Sequence, residues 1–361
     1  MSIRAEQSTQ EETPVDVQNF LCQNCGGVIK YDICSEHFRC SSCQTQYEVE
    51  TLTDTVKEYD FTLYAQRESQ AVAFQGRAVT HCQNCGCEIA FEEFQVATTC
   101  SMCGSSQVAT VKQAAGIPPD GIIPFQVDKE EARQKFRKWA KSRWFAPNDF
   151  KKKFGEGALS GMYLPFWTYD ATAVAAYRGR GGINRTETDK EGHTRTVTDW
   201  SNVSGVVDTV FDDVLVCATD REVQLQGILP FHTVENTKPY SPTYLSGFSA
   251  ELYKIRADAG FETAKTKMEQ ELRDLARQDI LRRFDRADVR TVLPKYSNVT
   301  YKHLLLPIWA STFGYKGKTF QYFVNGETGE VDGKRPYSVP KIIAAVLGAL
   351  ALLALLFYFF Q

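Results

Sequence analysis

The sequence predicts two small zinc ribbons followed by an α+β domain with antiparallel sheets, plus one C-terminal transmembrane helix. Three observations predict it: a four-cysteine pattern that occurs twice near the N-terminus, a long middle region mixing helical and alternating periodicities, and an uncharged apolar terminus. The boundaries read from the residues are a disordered 1–16, ribbon 1 over 17–50, a linker over 51–77, ribbon 2 over 78–112, the α+β domain over 113–337 and the membrane helix over 341–360.

The cysteines come first. Cys22-Gln-Asn-Cys25 precedes Cys40-Ser-Ser-Cys43, and Cys82-Gln-Asn-Cys85 precedes Cys100-Ser-Met-Cys103, the second set being the first displaced by sixty positions. A two-residue gap lets one tight turn aim two sulfurs at one ion, and two such turns complete the tetrahedron that Zn²⁺ accepts. Two structural Zn²⁺ ions are therefore expected, because four thiolates close the shell that a catalytic ion keeps open. Gly26, Gly86 and Gly104 follow the second cysteine of their pairs, where positive φ is often needed; Gln44 departs from that pattern. Cys34, Cys87 and Cys217 lie outside the spacing and read as small buried hydrophobes.

Composition sets the surroundings. The first sixteen residues are polar and acidic, without the apolar stretch of a secretory signal, so the body is expected in the cytosol. There, eleven cysteines suit metal thiolates better than disulfides. A net charge of -3 supplies no global attraction to nucleic acid. Each ribbon carries two more acidic than basic side chains, and a zinc tetrathiolate adds further negative charge.

The terminus from Ile342 to Phe360 contains no charged residue. Nineteen helical residues rise about 28 Å, close to the hydrocarbon thickness of a bilayer. Lys334, Arg335 and Lys341 precede it, which by the positive-inside rule places the soluble region in the cytosol, on the inner membrane in a bacterium.

Between ribbons and tail, Asp128 reads as the N-cap of a helix carrying Phe136, Trp139 and Ala140 on its apolar side. Tyr163-Leu-Pro-Phe-Trp167 and Leu305-Leu-Pro-Ile-Trp309 echo one another and suggest two related sheet halves. Gly179 to Gly182 reads as a loop, and 193–208 and 210–219 as strands. Ser249 to Arg286 is helical, with Ala264, Met268, Leu272 and Leu275 on one face and Gly260 as a possible break. Asn325-Gly326 and Gly329 mark a hairpin turn.

No motif assembles an enzyme. The five histidines form no ligand pair. Gly317-Lys318-Thr319 lacks the preceding glycine and following helix of a phosphate loop. Asp212 and Asp213, adjacent on a strand, should point to opposite faces and read as solvated charge. A hydrolase would require Asp, His and Tyr residues gathered by the fold. The basic element spans 129–153, where ten Lys and Arg face Glu130, Glu131 and Asp149. Arg133, Arg137, Lys138 and Lys141 could form a solvated helix face, a surface for anionic membrane lipid, or a nucleic-acid patch on a membrane-tethered protein.

The CQNCG ribbons, the phrases RWFAPNDF and MYLPFWTYDA, the ending FVNGETGEVDGKRPYS and the hydrophobic tail resemble a bacterial family of tail-anchored zinc-ribbon membrane proteins. Its members are often labelled TFIIB-type zinc-ribbon or primosomal helicase-like, although this sequence has no helicase motif. Some look like membrane anchors for cytosolic SPFH (flotillin-like) proteins in envelope stress. The resemblance implies a non-enzymatic adaptor whose soluble region recruits a protein partner, and it assigns no contact residues.

Overall fold

In the computed structural model, the described residues are 13–14, 17–18, 21–35, 37–47, 56–70, 78–81, 88–91, 95–99, 106–109, 116–153, 159–188, 193–221 and 225–359. The first module is a three-stranded antiparallel sheet of β1 (Ile29–Asp32), β2 (His37–Cys40) and β3 (Gln46–Tyr47). Its apolar side is small: Tyr31 and Phe38 pack edge-on or tilted against Tyr244 of the large domain, with ring centroids 5.6 and 5.7 Å away. A sheet this short buries too little to hold itself.

The large domain is built on three very long strands. α1 (Lys129–Ser142) precedes β4 (Ser160–Thr188) and β5 (Thr194–Cys217); α2 (Ala257–Leu281) precedes β6 (Arg286–Tyr315), β7 (Lys318–Asn325) and β8 (Val331–Gly333). β4 lies between β5 and β6, antiparallel to both, and β7 and β8 continue the sheet beyond β6. At about 3.3 Å per residue, the 30-residue β6 runs about 100 Å when straight, where globular strands usually have 3–10 residues.

Alternation along β4 explains how a two-layer body holds. Ala171, Ala173, Ala175 and Tyr177 are buried against α2, which contributes Ala264, Met268, Leu272, Ala276 and Ile280 to the same cluster. Small side chains on the strand let the helix lie close. The stretch expected as a loop at 179–182 is instead mid-strand: a Cβ on Gly181 would collide with the Phe284 ring, so the glycine makes room for packing and not for a turn. Likewise 193–208 and 210–219 belong to one strand, Thr194–Cys217, with no break at 209. The helical pattern begins at Ala257, after a short strand at Ser249–Glu251, and Gly260 sits buried inside the helix without splitting it.

The two echoing motifs are neighbours. Tyr163 pairs with Pro307, Leu164 with Leu306 and Pro165 with Leu305, so a local two-fold at the Leu164–Leu306 pair relates the two motifs. Trp167 and Trp309, at equivalent positions, then anchor two separate core clusters.

Within 51–77, residues 56–70 lie against this domain. Tyr59–Asp60 pairs with β6, Phe61 and Tyr64 stack in the second cluster, and Arg67 forms an ion pair with the buried Asp120. Strand Gln95–Thr99, within the second cysteine region, pairs with Ser249–Glu251, which pairs in turn with β4. The chain ends in α3 (Val339–Phe359), 21 residues with none buried.

Candidate metal centre and the acidic cluster

Two turns build the first quartet. The Gly26 amide donates to the Cys22 carbonyl at 2.8 Å and the Gln44 amide to the Cys40 carbonyl at 3.1 Å, while Cys22 and Cys40 each return a bond across the turn, to Gly27 and Thr45. The two turns are thus the same structure. Gly26 has φ +70°, and Gln44 adopts φ +62° in the equivalent place, so the missing glycine changes the strain and not the conformation.

These turns bring Cys22, Cys25, Cys40 and Cys43 together, all four sulfurs lying within 4.8 Å of one another. Cys22–Cys43 and Cys25–Cys40 are 3.5 Å apart. A tetrahedral ion with Zn–S near 2.3 Å spaces its sulfurs about 3.8 Å apart, so the donor set fits one ion. The Gly27 and Ser42 amides each point at a sulfur, Cys25 and Cys40, at 3.4 Å.

Hydroxyls complete the preparation for thiolate. Tyr47 donates to Cys22 Sγ at 3.0 Å and holds that thiol below its ordinary value. The Thr45 hydroxyl, 3.0 Å from Cys43 Sγ, brings Cys43 down to about 6. At Cys25 the Gly27 amide pulls the same way, but the neighbouring Cys43 and Cys40 sulfurs outweigh it and push the thiol up to about 12. Crowded sulfurs of this kind ionise together only around a cation.

The second quartet, Cys82, Cys85, Cys100 and Cys103, lies outside the described residues, as does Cys87. Strands flank both of its pairs: Ala78–His81 pairs antiparallel with Glu88–Phe91, and Gln95–Thr99 with Ser106–Ala109. Of the remaining cysteines, Cys217 is buried as expected, whereas Cys34 is exposed. It sits on the β1–β2 turn with its sulfur 3.7 Å from Asp128, because a hairpin tip has no interior face.

One cluster escaped the sequence. Asp170, Asp212 and Asp213 place carboxylate oxygens within 4.8 Å of one another, although adjacent strand residues should diverge. The strand is irregular here: Asp213 has φ +51° and the β4–β5 register shifts between Tyr169 and Ala171. Burial pushes Asp170 up to about 6. The cation is supplied by the chain itself, since Lys302 Nζ lies 2.7 Å from Asp213 and 3.0 Å from Glu58. Asp213 is therefore an ion-paired joint in the long sheet, while Asp212 is exposed, as expected of solvated charge.

An Asp–Arg–Tyr–His grouping also exists, in Asp120, Arg67, Tyr301 and His303. His303 is entirely buried, its Nδ1 is 2.9 Å from the Ile117 carbonyl, and burial drives its imidazole down to about 4. It ties β6 to the segment around Ile117, out of reach of solvent.

The basic residues divide. Arg133 is paired with Glu130 at 3.5 Å and Lys135 with Glu131 at 3.4 Å, and Arg137, Lys138 and Lys141 have exposed side chains. Asp128 caps α1 as expected, accepting from the Glu130 and Glu131 amides at 2.8 Å. Lys141 stands at the foot of the terminal helix, and Arg133 is about 12 Å back along the α1 axis at ~1.5 Å per residue.

No family model matches the chain, and no solved structure matches it. Over 328 residues, covering 90% of this chain and 92% of the other, it is 28% identical to a Bacillus subtilis (strain 168) protein described as uncharacterized protein YdjG.

Proposed function

We propose that this chain is a non-enzymatic adaptor on the cytosolic face of a membrane, tail-anchored by α3, with two structural Zn²⁺ ions fixing its N-terminal modules and its soluble region recruiting a protein partner. The observation that carries the reading is an apolar helix of 21 residues, none of them buried in the core of the domain it leaves. In water such a surface is untenable, and in a bilayer it is satisfied. The cysteine quartet supports the structural role of the metal, because four sulfurs leave no open coordination position.

A second surface supports recruitment. On the face of the long sheet away from α2, Val210, Val206, Val174 and Leu293 are 72%, 63%, 46% and 67% exposed. Register places them in adjacent rows: Val210 beside Thr172, Val174 between Asp208 and Lys295, and Ala176 between Val206 and Leu293. An apolar strip with a polar rim suits a protein partner, and the family resemblance points to one of the SPFH (flotillin-like) kind.

Affinity purification of the full chain from detergent-solubilised membranes tests the reading. A stoichiometric partner is expected with the native chain and lost in Val206→Glu/Val210→Glu. Recovery of nucleic acid through the 129–153 segment in place of a protein would overturn it.

A further inference from the structure

The junction between the soluble domain and α3 is locked. Lys341, in the first turn of the helix, donates to the Trp144 carbonyl at 3.3 Å, the Ala146 carbonyl at 2.8 Å and Asn148 Oδ1 at 2.7 Å, using all three ammonium hydrogens on one loop. The Ser338 amide adds a bond of 2.8 Å to the Phe145 carbonyl. The loop 144–148 therefore keeps a fixed height relative to the membrane helix.

That lock leaves a cleft of about 690 Å³ between the C-terminal end of α1, the loop and the first turns of α3. Its described walls change character with depth. Lys141, Ser142 and Asn148 line it with donors, Trp144 contributes an indole that is 75% exposed, and Ala344 and Ala345 expose the helix surface below. No described wall residue is acidic, and Lys141 and Lys341 both bear on the cavity. Ala344 is three residues beyond Lys341, about 5 Å deeper along the helix axis.

We infer that this cleft is a binding site for one anionic phospholipid of the leaflet that α3 enters, an inference that rests on α3 being a membrane anchor. The lipid phosphate meets Lys141 and Ser142, and the Asn148 amide lies at the level of the glycerol esters. An acyl chain runs over Ala344 and Ala345, where methyl side chains let it approach the helix. The Trp144 indole occupies the interfacial layer, where an aromatic ring with one polar edge is most stable. The ligand is thus an amphiphile whose charge and chain are read by the same cleft.

The test uses the full chain in phosphatidylcholine vesicles, with brominated phosphatidylglycerol or brominated phosphatidylcholine added as a minority quencher. Subtracting the emission of Trp144→Phe isolates the one indole. Half-maximal quenching is expected at an about fivefold lower fraction of the phosphatidylglycerol, the preference one basic contact gives near a membrane. Lys141→Gln should bring the two curves together, and inorganic phosphate should leave them apart. Coincident curves in the native chain, a preference that survives Lys141→Gln, or release of the quencher by free phosphate would each overturn the assignment. Vesicle flotation separates the two levels: a chain that floats with coincident curves removes the lipid site alone, and a chain that does not float removes the anchor as well.

Discussion

Cys40→Ser is expected to lower the zinc content by one ion per chain and to open residues 21–47 to proteolysis while the large domain stays folded. Cys40 is fully buried, with its sulfur 3.5 Å from Cys25 and bonded by the Ser42 amide, so a hydroxyl there breaks the tetrahedron from inside. Little else holds the module. Its apolar contribution is chiefly Tyr31 and Phe38 against Tyr244, whereas a structural zinc supplies on the order of 10 kcal/mol of apparent folding free energy in small zinc domains. Metal analysis and limited proteolysis read the result, and a chelator should reproduce it in the native chain. An unchanged ion count with a resistant 21–47 module would remove the metal from the account.

In Leu272→Ala, the urea midpoint of the large domain should fall by the equivalent of about 3–5 kcal/mol. Leu272 is fully buried at the middle of α2, in the cluster with Ala173, Ala175 and Tyr177 of β4. The domain has two layers at this point, and α2 is the layer that covers the long sheet. A cavity here has no third layer to collapse into it. A midpoint within ~0.5 kcal/mol of native would mean that the long sheet holds together without the helix, since changes of that size are ordinary for surface positions.

What could be read in advance follows the range of the interaction. The first cysteine quartet depends on four residues in two local turns, and the terminal helix on unbroken composition, so both stand where the spacing puts them. The long strands carry local signals that break them into shorter pieces. Glycine at 179–182 ordinarily marks a loop, yet here it accommodates Phe284, a residue about a hundred positions away. Asp212 and Asp213 alternate on any regular strand, and only the irregularity at Asp213, with Lys302 and Glu58 arriving from distant segments, draws them together with Asp170. The resemblance between the two Leu-Pro-x-Trp segments was visible, but not that a local two-fold pairs them. The cleft at Lys141 depends on a loop meeting a helix two hundred residues later.

Whether α3 holds this domain on a membrane is decided by alkaline extraction of membranes from cells making the full chain. Retention of the intact protein in the carbonate-resistant pellet, with release into the supernatant when residues 339–361 are deleted, is the predicted result. Full-length protein in the supernatant would contradict it.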